Sequence, residues 1–305
     1  MRWKALLLVL GNLLLIALLL LYWLNPGYGS TFTADLDPNS NFSLSNNSVK
    51  VQFYDNMRFP SHMISYKINP ACSLEKIHSM ERAFEKISSL TNLIFYPVDS
   101  EEEITVKCQE KNIVQDGMFI AGEGGPTNIT ETDNYEVITH GNILLIRKSE
   151  CANPNVEIHE LLHVLGFDHS ENKNNIMYPI SRCDQIIGDD TIQKINELYE
   201  EPAYPDLKFK KISAEVKGRI LNVNVSVRND GLAPSSNATI KLISENQTLK
   251  DIYLKPLDIG HGIKIKLTNL WITKIKVEEL SVVIDYNFDE LSKDNNKVLL
   301  SKTTN

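Results

Sequence analysis

The sequence predicts an α+β chain in three parts: an N-terminal transmembrane helix, a mixed region of strands and helices over 49–201, and an all-β sandwich over 206–305. Three observations predict it. Residues 5–24 form a nearly unbroken apolar run. Between 49 and 201, short apolar strands alternate with segments of helical period. Beyond Pro205 the helical period disappears. Apolar and polar residues then alternate, as at Leu221, Val223, Val225 and Val227 and again at Ile263, Ile265 and Leu267.

The run from Ala5 to Leu24 is interrupted only by Gly11 and Asn12 and is long enough for one helical crossing of a bilayer. Arg2 and Lys4 precede it, and the next basic residue is Lys50. The positive-inside rule therefore places the N-terminus in the cytoplasm and the rest of the chain outside. A cleaved signal would have a shorter apolar core and a small-residue cleavage site. The residues after Leu24 supply a poor one, so residues 1–25 are expected to stay as an anchor, with secretion the alternative if they are cut. Residues 26–48 are rich in Asn, Ser, Gly and Pro and predict a flexible stalk. The formal charge of −8 shows no basic footprint for nucleic acid. Cys72, Cys108, Cys151 and Cys183 are the four cysteines. Outside the cell they predict two disulfides, with three pairings open.

In the mixed region, Val49–Tyr54, Met63–Ile68, Ile104–Lys107, Met118–Ala121 and Ile138–Ile146 read as strands, and Gly122–Pro126 reads as a loop. Ser73 is placed to cap a helix running to Leu90, with Leu74, Ile77, Phe84 and Ile87 on its apolar face. Asn153 is placed to cap a second helix, with Pro154 in its first position.

That second helix carries His159-Glu160-Leu161-Leu162-His163-Val164-Leu165-Gly166-Phe167-Asp168-His169. His159 and His163 are one helical turn apart, so both imidazoles can reach one ion. Gly166 can take a positive φ and turn the chain back, bringing His169 as a third ligand. Three neutral histidines leave a fourth zinc position open to water, the layout of a catalytic site. Glu160 follows the first ligand and is the expected general base acting on a metal-activated water.

This stretch resembles the zinc signature of the metzincin peptidases, and Ser170 after the third His is similar to the matrixin branch. Asn175-Ile176-Met177-Tyr178-Pro179 resembles the matrixin Met-turn, and 189–199 resembles the family's closing helix. The resemblance implies a twisted mixed sheet with helices, one catalytic zinc and a peptide or protein substrate. It places Met177 beneath the metal and makes Pro179 and Ile180 a wall of the substrate pocket. Ser181 stands where the family usually has an aromatic residue. An edge strand pairing with extended substrate is also implied, and Met118–Ala121 is the candidate. The family's second, structural zinc needs three further histidines and is not expected here. Asp116, Glu123 and Asp133 offer oxygens to calcium but form no specific calcium motif.

In the last hundred residues, Asp206-Leu207, Val227-Arg228-Asn229-Asp230-Gly231 and Asp294-Asn295-Asn296 resemble the immunoglobulin-like CARDB adhesion modules. No constellation there carries chemistry, so that half is expected to bind a surface partner or position the enzyme. Two functions follow. The first is a membrane-anchored, extracytoplasmic zinc endopeptidase. The alternative is a catalytically silent surface adhesion protein, against which the intact Glu160 argues.

Overall fold

The structure is a computed structural model, and it describes residues 2–24, 30–34, 51–111, 113–115, 118–147, 151–245, 247–273 and 279–303. It opens with helix α1 (Arg2–Leu24) and strand β1 (Ser30–Thr33). Within α1 the described side chains are Trp3 and those of residues 9–20, all exposed. Among the described residues no helix is long and apolar enough to cross a membrane. The described side chains of α1 form a shorter run than the roughly 20 residues a bilayer needs. The rest of the expected span lies outside them.

The mixed region contains β2 (Met57–Arg58), β3 (Met63–Ile68), α2 (Leu74–Leu90), β4 (Ile94–Pro97), β5 (Ile104–Cys108), β6 (Val114–Gln115), β7 (Met118–Phe119), β8 (Gly122–Glu131), β9 (Glu136–Leu145), α3 (Asn155–Val164) and α4 (Asp189–Leu198). Strands β4, β3, β5 and β9 pair in parallel, and β8 closes the sheet antiparallel to β9. The sheet is therefore mixed. Helices α2 and α3 bury one core against it through Met80, Phe84, Ile87, Ile158, Leu161 and Leu162. Ser73 caps α2, its side chain accepting from the Lys76 N–H. The stripe differs at the first turn: Leu74 is exposed and Lys76 is buried, its ammonium donating to the carbonyl of Gln109 at 2.7 Å. Asn153 does not cap α3. The cap position is Pro154, and Asn155 opens the helix and sends its amide to the Arg182 carbonyl at 2.7 Å.

The C-terminal half contains β10 (Leu207–Lys217), β11 (Ile220–Asn229), β12 (Ala238–Ser244), β13 (Gln247–Leu254), β14 (Gly262–Trp271), β15 (Leu280–Tyr286) and β16 (Lys297–Thr303). One run of pairing is β1-β10-β11-β14 and the other is β13-β12-β15-β16, with all neighbours antiparallel. The alternating residues Leu221, Val223, Val225 and Val227 supply the core from one sheet, and Ile240, Leu242, Val282 and Ile284 from the other.

Ser30–Thr33 lies inside the segment that composition assigns to a stalk, yet it is a strand of this sandwich. It pairs with β10 on one side and β16 on the other, which joins the two sheets. Phe32 is fully buried in the sandwich core. Four residues, Ser30-Thr31-Phe32-Thr33, between Gly29 and Ala34-Asp35 are too short a run to be recognised as a strand. Their structure comes from partners far along the chain. The remaining stalk residues, 26–29 and 35–48, lie outside the described residues.

The two cores are separate, but the halves touch. Tyr135, Val137 and Leu232 form a small apolar cluster between them. Around it, Asp133 at the β8–β9 turn is ion-paired to Lys208 and Lys210. Buried Asp230 receives Lys210 at 2.9 Å and Arg228 at 3.3 Å. Arg228 also donates to the Glu131 carbonyl. Asp133 is thereby held by two lysines of the other half.

Candidate metal centre and substrate cleft

All ten residues of α3 are buried, so the helix runs through the core rather than along the surface. Its polar residues are consequently expensive and must be partnered. After the helix, Gly166 adopts φ 92°, a conformation that side chains rarely take. A Cβ there would also lie 2.6 Å from the Met57 side chain. The turn is strapped from outside by residues 51–53. Asp168 N–H donates to the Val51 carbonyl at 2.9 Å, and Phe53 N–H to that of Gly166 at 3.0 Å.

His169 is thus delivered to the helix. The Nε2 of His163 lies 3.0 Å from that of His159 and 3.1 Å from that of His169. The other ring nitrogens fix the tautomers. Nδ1 of His159 meets the Ile176 carbonyl at 2.7 Å, and Nδ1 of His163 meets the Phe167 carbonyl at 2.8 Å. A carbonyl only accepts, so both Nδ1 atoms carry the proton and both Nε2 atoms present lone pairs. Burial lowers the pKa of both rings, that of His163 to about 4, with the neighbouring imidazoles adding to it. Converging neutral lone pairs repel unless an electrophile sits among them. A tetrahedral zinc with Zn–N near 2.05 Å spaces its nitrogens by roughly 3.3 Å, so the donor set fits that ion in type, charge and spacing.

Glu160 is buried beside this cluster. Its desolvation, and then the carboxylates of Glu123 and Glu157, push it up to about 8, against a hydrogen bond from the Gly124 N–H. Strand β8 crosses directly over it. A Cβ on Gly122 would lie 2.8 Å from the Glu160 Cγ, and one on Gly124 would lie 2.2 Å from the Glu160 carbonyl oxygen.

The segment after His169 returns to the cluster. Met177 is buried, and its carbonyl accepts from Ser170 N–H at 2.9 Å. Its neighbour Ile176 supplies the carbonyl that orients His159. Pro179 is exposed, and Ile180 is 46% exposed beyond it. Buried Gln185 braces this segment, donating to the carbonyls of Ile180 at 3.0 Å and Lys173 at 3.2 Å. The cysteines pair as Cys72–Cys108 and Cys151–Cys183. The second bridge ties the approach to α3 to the loop after Ile180.

Residues 58–200 match the family model for Matrixin, and residues 204–299 match that for CARDB. The chain carries a matrixin domain followed by a CARDB domain. A matrixin domain implies metalloprotease-type function at the level of the family, with zinc as the metal and peptides or proteins as substrates. Among curated proteins none matches the chain.

The edge of the matrixin sheet is not where Met118–Ala121 was expected to provide it. Met118–Phe119 pairs with Val114–Gln115 in a two-stranded hairpin. The antiparallel outer strand is Gly122–Glu131, whose first residues read as a loop because three glycines and a proline dominate them. Those glycines are the signal that was available: a strand interior tolerates them where another backbone approaches closely. Gly122 and Gly124 serve that approach to Glu160. Sequence reasoning also missed Phe53, whose ring stacks on His163 with centroids 5.6 Å apart, and the bracing pair Asn155 and Gln185. Of the acidic residues considered for calcium, Glu123 lies close enough to raise Glu160, and Asp116 lies outside the described residues. His140 sits between Thr127 and Thr105, at 2.8 and 3.1 Å.

Proposed function

We propose that the chain is a membrane-anchored, extracytoplasmic zinc endopeptidase, with His159, His163 and His169 as ligands and Glu160 as general base. The observation that carries this reading is the meeting of three imidazole Nε2 atoms beside a buried carboxylate under an edge strand. Zinc held by the three histidines supplies Lewis acidity, polarising a scissile carbonyl and making water a stronger acid. Glu160 takes the proton of the attacking water and returns it to the leaving amine. Its burial raises its affinity for a proton, and the Gly124 N–H donates to it. The free edge of β8 offers backbone groups to an extended substrate. Pro179 and Ile180 face the side chain on the far side of the scissile bond.

The anchor is supported by the sequence, in which residues 5–24 form an apolar run of the roughly 20 residues that one crossing needs. Arg2 and Lys4 at its start support an outward-facing matrixin domain.

The test is cleavage of a fluorogenic peptide library by the purified protein. Activity should vanish with a chelator and return with zinc. Glu160→Ala should bind one zinc and lose at least roughly 10²-fold in kcat/KM. Cleavage that survives either treatment refutes the mechanism, and stoichiometric zinc without any cleavage favours the silent adhesion protein.

A further inference from the structure

The two ends of the CARDB sandwich do different things. At one end, Lys208, Lys210, Arg228 and Leu232 hold the β8–β9 turn of the matrixin domain. Strand β10 leaves that end and runs 11 residues to Lys217, which at about 3.3 Å per residue puts the other end roughly 33 Å away. This far end is the Lys217–Ile220 turn together with Trp271, the register partner of Ile220.

The N-terminal segment enters the sandwich at this far end. Ser30 pairs with Val216, and the strand then runs back to Thr33 opposite Ser213. Helix α1 ends at Leu24, so only residues 25–29 separate it from Ser30. Six steps of chain reach at most about 20 Å. The far end of the sandwich is therefore held within that distance of the end of α1, and the matrixin domain is held at the opposite end.

The surface at the far end suits one environment. Trp271 is 57% exposed, and the Arg219 guanidinium lies over its ring at 5.9 Å. Lys217 is exposed beside it, paired with Glu215 at 2.6 Å. An exposed tryptophan under an arginine, beside a Lys217–Glu215 ion pair, suits the headgroup layer of a bilayer, where the ring meets the acyl boundary and basic side chains face phosphate.

Resting on the anchoring reading above, we propose that this tip of the CARDB domain lies against the lipid surface. The sandwich, locked to the anchor by β1, then acts as the spacer that holds the matrixin domain away from the membrane. The spacer role passes from residues 26–48 to a folded domain, and the lipid surface is the partner of Trp271, Arg219 and Lys217.

The experiment uses the full chain with Trp3→Phe and Trp23→Phe, which leaves Trp271 as the single tryptophan of the original three. It is reconstituted in phosphatidylcholine vesicles containing a minor fraction of phosphatidylglycerol, with and without lipids brominated near the headgroup. The protein should float with the vesicles, and brominated lipid should quench Trp271 emission by roughly half or more. Lys217→Glu with Arg219→Glu should reduce that quenching while flotation persists. Flotation with Trp271 unquenched overturns the tip contact and leaves the anchor standing. Failure to float overturns the anchoring reading, and the tip contact with it.

Discussion

Gly124 and Gly125 are adjacent on β8 and should respond in opposite ways to the same added methyl group. A Cβ on Gly124 would stand 2.2 Å from the Glu160 carbonyl oxygen and 2.8 Å from its Cα. Both are backbone atoms of a helix buried on all sides, so neither can swing away as a side chain would. Ordinary contact needs roughly 1 Å more than this, and overpacking of this kind costs about 1–3 kcal/mol. The strand must move off the helix by a comparable amount. That movement weakens the Gly124 N–H bond to Glu160 and shifts the substrate-pairing edge relative to the histidines. A displacement of about 1 Å at a reacting centre costs on the order of 10²-fold in rate. A Cβ on Gly125 meets nothing within 4 Å. Gly124→Ala should therefore lose about 10²-fold in kcat/KM on a short fluorogenic peptide while still binding one zinc, and Gly125→Ala should stay near the parent. Equal activity in the two variants would refute the claim that β8 is set by its contact with Glu160.

Other consequences follow from groups buried away from the metal. Phe32→Ala empties a fully buried site in the sandwich, so the urea midpoint of that domain should fall by the equivalent of about 3–5 kcal/mol; an unchanged midpoint would mean β1 contributes nothing to the core. Arg58 is buried with its guanidinium over Tyr199 at 4.4 Å and donates to the carbonyls of Phe59, Pro60, Leu198 and Glu201. Lysine cannot reproduce that planar fork, so Arg58→Lys should destabilise the matrixin domain by roughly 2–4 kcal/mol in a denaturant titration. Burial pushes Glu290 up to about 7 from its ordinary 4.5. Its folded-state pKa lies above the unfolded one, so its contribution is full below about pH 4.5 and is lost as pH rises to about 7. Glu290→Gln should remove that slope, read as melting temperature against pH, although its amide NH2 loses one of the bonds from Leu207 N–H and Asn296 Nδ2.

The meeting of the three histidines was legible in the sequence because its geometry is local. A spacing of four on a helix, followed by a glycine and three more residues, is enough to bring His159, His163 and His169 to one point. Asn175 through Pro179 return to the same point, where the Ile176 carbonyl reaches His159. The sandwich strands were legible wherever one face was buried, since Leu221 to Val227 alternate cleanly. The outer strand β8 was not. Its glycines are chosen by the approach to Glu160, more than thirty residues later, and they erase the apolar pattern by which a strand is recognised. The ion pairs of Asp133 were illegible for the same reason, because Lys208 and Lys210 lie on another domain.

Phe32 carries this limit furthest. Its register partners are Ala214 and Lys302, one in each sheet, and no window of sequence contains either of them. Periodicity reports which face of an element is buried, but not which element closes the remaining gap. Read by periodicity alone, residues 206–305 are a complete core and should separate at Pro205 without loss to the matrixin half. In the fold, that cut strips β10 and β16 from Phe32 and Leu232 from Tyr135 and Val137. A chain truncated at Pro205 would therefore present Phe32 and the Tyr135 cluster to water. A loss of activity there would report on those uncovered surfaces as much as on any sharing of the active site. Separating the two effects requires removing residues 30–34 together with the sandwich, because the strand and the domain it completes are one structural unit.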